Sequence, residues 1–223
     1  MIRLLSISGR NMPKHLFLTS SIHGVAREIA AQIDSSVRSH GVFITTGVKD
    51  KVHVDLAWHE RNIVTMREAG FAFDYYDIAG KSTEEIIRDL SDYKYMYVEG
   101  GNPYYLLHCA RQCDFAKFVK QQLEQGMIYV GTSAGSMIVG RDIGWAARPG
   151  KSPADYNMTD TTAFQIINFD VAPHWGHPGK RDLYQGTKLQ NMYKESHSYL
   201  MISDAQYIEV TGDNWQIHTK QES

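Results

Sequence analysis

The chain has 223 residues, 43% of them hydrophobic and 22% charged, ordinary proportions for one globular domain with a sizeable core. A net charge of -2 and a sequence pI near 6.5 give no electrostatic footprint for nucleic acid or an anionic membrane surface. No apolar stretch approaches the roughly 20 residues of a membrane helix, and the N-terminus does not read as a signal peptide, so the expected compartment is the cytoplasm.

The apolar run "HLFLTSS" (15–21) ends in polar residues and reads as a first strand, with a helix expected over 24–39. "GVFITTG" (41–47) reads as a second buried strand, followed by a helix from Val52 to Gly70, and "FAFDYYDI" (71–78) as a third. Ser82 stands three residues before Glu85, the spacing of a capping box that opens a helix. "KYMYVEGG" (94–101) gives the next strand, then one or two helices, and "MIYVGTSAG" (127–135) returns to strand. Past Gly140 the pattern reads as strand-rich and irregular. A helix is expected around 180–195, and "YLMISDAQYIEV" with "NWQIH" is expected to close the chain as a hairpin. Strands alternating with helices predict a single α/β domain over 1–223, with a mostly parallel sheet covered by helices on both faces. Cys109 and Cys113 have no second Cys or His pair at zinc-site spacing and read as buried reduced thiols. No metal or cofactor is expected.

Chemistry concentrates where the strands end, since parallel α/β sheets bind ligands at the carboxyl ends of their strands. "GTSAG" (131–135) follows an apolar run and fits the G-x-S-x-G turn that holds a nucleophilic serine, Ser133, in an exposed, strained geometry. The N–H of Ala134 and one from the "EGGNP" loop (99–103), with Gly101 as its donor, form a candidate oxyanion pair. His174 in "NFDVAPHWGHP" follows an apolar strand and is the candidate base, with His177 its rival three residues on. Asp204 in "YLMISDAQ" opens a turn after a strand and is the candidate orienting carboxylate.

Four segments, "VEGGNPYYLL", "GTSAGS", "NFDVAPHW" and "ISDAQYIEV", resemble in order and spacing the serine peptidases of the aspartyl dipeptidase (peptidase E) and cyanophycinase family. "LFLTSS" resembles that family's first strand, which leaves residues 1–14 as an N-terminal extension. The resemblance implies a glutamine-amidotransferase-like sandwich with a nucleophile elbow. It implies a Ser133–His174–Asp204 triad and oxyanion donors at Gly101 and Ala134. It also implies small peptide substrates with an acidic residue at the cleaved bond. A homodimer is a separate expectation. An acidic substrate needs a cation, for which Arg181 in "HPGKRDLY" is the candidate, and its free amine needs an anion, for which Glu99 is the candidate. Glu99 is itself a departure, because family members commonly have glycine there.

Two other readings remain open. An α/β-hydrolase esterase shares G-x-S-x-G but runs serine, acid, histidine, which here pairs Asp204 with His218 in the terminal "NWQIHTKQES". A catalytically silent small-molecule binding protein on the same scaffold is the second.

Overall fold

The computed structural model describes residues 12–50 and 55–220, so most of the expected N-terminal extension and the expected helix start at Val52 lie outside the described residues. Among the described residues the main sheet has seven strands. They are β1 (His15–Thr19), β2 (Gly41–Ile44), β3 (Phe73–Tyr76), β4 (Tyr95–Val98), β5 (Ile128–Thr132), β8 (Gln206–Thr211) and β9 (Asn214–Thr219), in the order β3-β2-β4-β5-β1-β8-β9. The first five run parallel, and β8 and β9 join as an antiparallel hairpin on the β1 edge. A separate parallel pair is formed by β6 (Asp170–Pro173) and β7 (Tyr199–Ile202).

Successive side chains along a strand point to opposite faces, and in the central strands β1, β2, β4 and β5 both faces are buried. Leu16 and Leu18 of β1 enter one core while Phe17 enters the other; Val42 and Ile44 of β2 oppose Phe43 in the same way. The Phe17 side is covered by α1 (Ile22–Ala30), with α3 (Ala57–Glu68) beside it contributing Met66. The Leu16 side is covered by α4 (Thr83–Leu90), α5 (Pro103–Gln112), α6 (Phe115–Glu124) and the short α7 (Ala134–Met137). Helices on both faces of a mostly parallel sheet are what the sequence pattern predicts. At the start of α4, Ser82 and Glu85 make both hydrogen bonds of the capping box. Cys109 and Cys113 are buried free thiols.

Three expectations need correction. The helix expected over 24–39 is two, α1 and a single turn α2 (Ser35–Arg38), because Asp34 caps a new start through the Ser36 N–H. The stretch expected to be strand-rich past Gly140 is a chain of 3-10 turns with isolated bridges until β6. Finally, "YLMISDAQYIEV" is not one arm of a hairpin. It breaks at Ser203–Ala205 into β7, which pairs with β6, and β8, which pairs with β1 and β9. That break puts Asp204 on a turn between two sheets. Among the described residues no helix is long and apolar enough to cross a membrane.

Candidate active site

The elbow forms because β5 must turn into α7 within one residue. Ser133 takes that turn with φ 49° and ψ -109°, a left-handed conformation that side-chain-bearing residues rarely occupy. Its backbone is fixed by its neighbours: the Ser133 N–H donates to the Thr19 carbonyl at 2.9 Å, and Ser136 Oγ donates to the same carbonyl at 2.8 Å. The glycines are a packing requirement. A Cβ on Gly135 would stand 2.0 Å from the Val98 carbonyl oxygen, so α7 can approach β4 only without a side chain there.

His174 and Asp204 arrive together on the β6–β7 pair, whose register sets Pro173 opposite Ile202. The Trp175 N–H donates to the Ile202 carbonyl at 3.0 Å and extends that pairing past the histidine. His174 Nε2 lies 3.0 Å from Ser133 Oγ, and His174 Nδ1 lies 2.8 Å from Asp204 Oδ1. With Asp204 ionised, Nδ1 carries the proton donated to it and Nε2 is left to accept from the serine hydroxyl. Burial pushes the Asp204 carboxyl up, but hydrogen bonds from His174 and Ser20, with the charge of His174 and His177, hold it below the usual carboxylate value. His177 lines the same cavity, but its Nδ1 accepts from the Gly179 N–H at 3.1 Å, as a local cap. His218 is on β9 opposite Tyr207, with the two rings stacked 4.8 Å apart, and it does not pair with Asp204. The serine–acid–histidine order of an α/β-hydrolase therefore has no histidine to end on.

The serine opens into a cavity of about 500 Å³ bordered by Gly100, Gly101 and Ala134. Gly101 has φ 124° and lies so close to the Gly47 carbonyl that a Cβ would stand 2.0 Å from its oxygen. The Gly100 N–H is taken by Glu99 Oε1 at 3.0 Å, whereas the Gly101 and Ala134 N–H groups have no hydrogen-bond partner among the described residues. Asn102 pins the far end of the loop: its Oδ1 accepts from the Tyr104 N–H at 3.0 Å, and its Nδ2 donates to Asp50 Oδ2 at 2.6 Å.

The two residues suggested for substrate charge recognition are not in the cavity. Glu99 is fully buried behind the loop, accepting from Asn62 Nδ2 at 2.9 Å and Tyr97 OH at 3.2 Å, with His59 Nδ1 3.1 Å away. Arg181 is exposed and outside the cavity lining, while its neighbour Lys180 is part of it. The cations that do line the cavity are Arg61, Arg148, Lys151, Lys180 and Lys188, against a single carboxylate among the described lining residues, Asp204. None of the five is among the residues that the sequence singles out. The one available signal was a pair of bases in the turn-rich "RPGKSP". Burial pushes Lys188 down to about 7, with Arg148, Lys180 and Lys151 adding repulsion, and pushes Lys151 down to about 8. Among the described residues no group of three or more His, Cys, Asp or Glu is arranged to hold a metal ion.

A family model for peptidase family S51 matches residues 16–218 of the chain. An uncharacterized peptidase of Listeria monocytogenes is 26% identical over 200 residues, covering 89% of this chain and 95% of that protein. An uncharacterized peptidase of Pasteurella multocida is 30% identical over 166 residues, 73% of this chain and 77% of that one. Peptidase E of Shewanella amazonensis is 29% identical over 148 residues, 56% of this chain and 61% of its own. In three dimensions the fold matches a crystal structure from Listeria monocytogenes EGD-e, provisionally named a peptidase E, with a TM-score of 0.81 at 24% identity. That match covers 94% of this chain and all of the other.

Proposed function

The chain belongs to peptidase family S51 and is a serine peptidase, and from that premise we propose that it cleaves small peptides at aspartyl bonds through Ser133, His174 and Asp204. One observation carries the proposal: an unbroken hydrogen-bonded path from Ser133 Oγ through both nitrogens of His174 to Asp204, on a strained elbow facing a cavity.

Ser133 Oγ attacks the scissile carbonyl carbon while His174 Nε2 takes its proton. The carbonyl oxygen becomes an oxyanion held by the N–H groups of Gly101 and Ala134, the two loop donors without another partner among the described residues; one such donor contributes on the order of a hundredfold to a thousandfold in rate. His174 then returns the proton to the leaving amine, and the bond to it breaks. Water, deprotonated by the same nitrogen, hydrolyses the acyl-enzyme and restores Ser133. Asp204 keeps the imidazole in its Nδ1–H tautomer and stabilises the imidazolium without taking the proton itself.

The cationic lining of the cavity favours an acidic substrate, since a carboxylate entering beside five cations gains where a neutral or basic side chain does not. Of the adjacent pair Lys180 and Arg181, it is Lys180 that lines the cavity. The test is a hydrolysis screen of α- and β-aspartyl dipeptides against neutral and basic ones, with Ser133→Ala as the blank. Activity in Ser133→Ala would end the serine assignment. A wild-type preference for neutral or basic residues would end the aspartyl assignment and leave the nucleophile standing.

A further inference from the structure

An aspartyl dipeptide brings two kinds of charge, carboxylates and a protonated amine, and the cavity is built for only one of them. None of Arg61, Arg148, Lys151, Lys180 and Lys188 forms a salt bridge with a described residue. Glu99, the obvious partner for an amine, is walled off and hydrogen-bonded. Asp204 is already engaged by His174 and Ser20. Lys188 is the most costly of the cations. It is only 6% exposed, its Nζ stands 4.4 Å from the Tyr184 ring centre and 5.2 Å from that of Trp145, and no carboxylate among the described residues answers it. Lys151 Nζ donates to the Gly101 carbonyl at 3.3 Å, which ties its charge to the loop beside Ser133. Arg148 is close enough to both to repel them.

Asp50 attracts Lys151, but its oxygens are taken by Asn102 Nδ2 and Tyr156 OH, and among the described residues no carboxylate pairs with Arg148 or Lys188. Several partly desolvated like charges held together either shed protons or take up an anion as ligand, because burying an unpaired charge is strongly unfavourable. We propose that Arg148, Lys151 and Lys188 form a second anion subsite within the catalytic cavity, so that the preferred substrates carry two carboxylates and no free amine beside the scissile bond. An N-acylated aspartyl peptide has this chemistry; the zwitterionic aspartyl dipeptide does not. This inference rests on the cavity being the peptidase site, and it narrows the substrate from aspartyl peptides in general to amine-blocked acidic ones.

The experiment compares N-acetyl-Asp-Leu with Asp-Leu, which differ only in the amine, using wild type, Lys188→Met and Lys188→Arg. Wild type is expected to favour the acetylated peptide by at least tenfold in kcat/KM. Lys188→Met should bring that ratio towards one, chiefly through KM, and Lys188→Arg should keep most of it. Equal or better cleavage of the free-amine peptide by wild type would overturn the proposal, and so would a ratio that Lys188→Met leaves intact. If neither peptide is hydrolysed, the aspartyl reading fails while the subsite can still be judged. Calorimetric titration of Ser133→Ala with N-acetyl-Asp-Leu should then give binding at least tenfold tighter than Asp-Leu and weakened by adding Lys188→Met. Equal affinities would overturn the subsite as well. A melting curve for each variant separates loss of the subsite from loss of the fold.

Discussion

Ser20 donates its hydroxyl hydrogen to Asp204 Oδ1 at 2.5 Å and accepts from the His174 N–H at 2.6 Å, so one side chain from the end of β1 ties both halves of the β6–β7 pair to the main sheet. Without it, Asp204 has only His174 to fix its rotamer, and the His174 backbone, held at φ 66°, loses an acceptor. Ser20 is a positioning residue. Ser20→Ala should lower kcat on the order of tenfold to a hundredfold with little change in KM, the pattern of a misaimed base. The structural alternative is separable, because a purely packing role would lower the melting temperature and leave the kcat-against-KM pattern flat.

Glu99 supports the oxyanion loop from behind, and its removal should cost stability before it costs binding. Glu99→Ala leaves buried donors on Asn62, Tyr97 and Gly100 without an acceptor. At about 1–3 kcal/mol for each such group, partly relieved by relaxation, the expected fall in Tm is roughly 6–12 °C. Glu99→Gln keeps a carbonyl oxygen in place and should lose less than half of that. Thermal denaturation of the two variants checks the order, and an Ala variant as stable as wild type would remove the loop-support role.

The elbow glycine gives the sharpest contrast in stability. Gly135→Ala drives a Cβ into the Val98 carbonyl at 2.0 Å, a backbone obstacle that cannot rotate away, and should destabilise by more than about 4 kcal/mol. Gly186, in the helical segment of residues 178–192, has no atom of the described residues within 4 Å of its would-be Cβ. Gly186→Ala should be neutral or stabilising by up to about 1 kcal/mol. Chemical denaturation of the pair measures both, and matching losses would refute the steric account.

How much of this could be read from the chain depends on how local each signal is. The elbow and the strand-end loops carry their own turn chemistry, so Ser133, Gly101 and Ala134 stand out, and His174 and Asp204 follow apolar strands that end at the same sheet edge. Glu99 was misread because a loop position says nothing of side-chain direction, yet alternation could have said it. Tyr95 and Tyr97 face the α1–α3 side, and Glu99, two residues further, continues to that face and meets His59 and Asn62 of α3. The cation cluster had only the two bases of one turn-rich loop as a cue: Arg148 and Lys151 lie there, Lys188 on a distant helical segment, and only tertiary packing joins them. The break at Ser203–Ala205 was hidden because one apolar run supplies strands to two different sheets.

The lysine cluster makes substrate affinity and protein stability respond to pH in opposite senses. Burial, then repulsion from Arg148, Lys180 and Lys151, holds Lys188 at about 7, and Lys151 is held at about 8. Among the described residues the groups around Lys188 are those three cations and the Trp145 and Tyr184 rings, and none of them is negative. An anionic substrate pairs with the protonated form and raises its pKa, so binding takes up a proton above about pH 7. KM for an acidic peptide should be flat below that point and rise above it, by up to tenfold per pH unit. Stability runs the other way. An unfolded lysine stays protonated to about 10.4, so between pH 7 and 10 the unfolded chain binds the extra proton and the folded state gains as pH rises. Asp204 adds nothing to that slope, since a depressed carboxylate lends stability above the usual carboxylate range and loses it only as pH falls through its own lowered value. Lys188→Met should therefore raise Tm by a few degrees at pH 6, shrink that gain towards pH 9, and flatten the alkaline rise in KM. Melting curves and KM measured from pH 6 to 9 test both halves at once. A KM that rises identically in wild type and Lys188→Met would assign the pH dependence to another group.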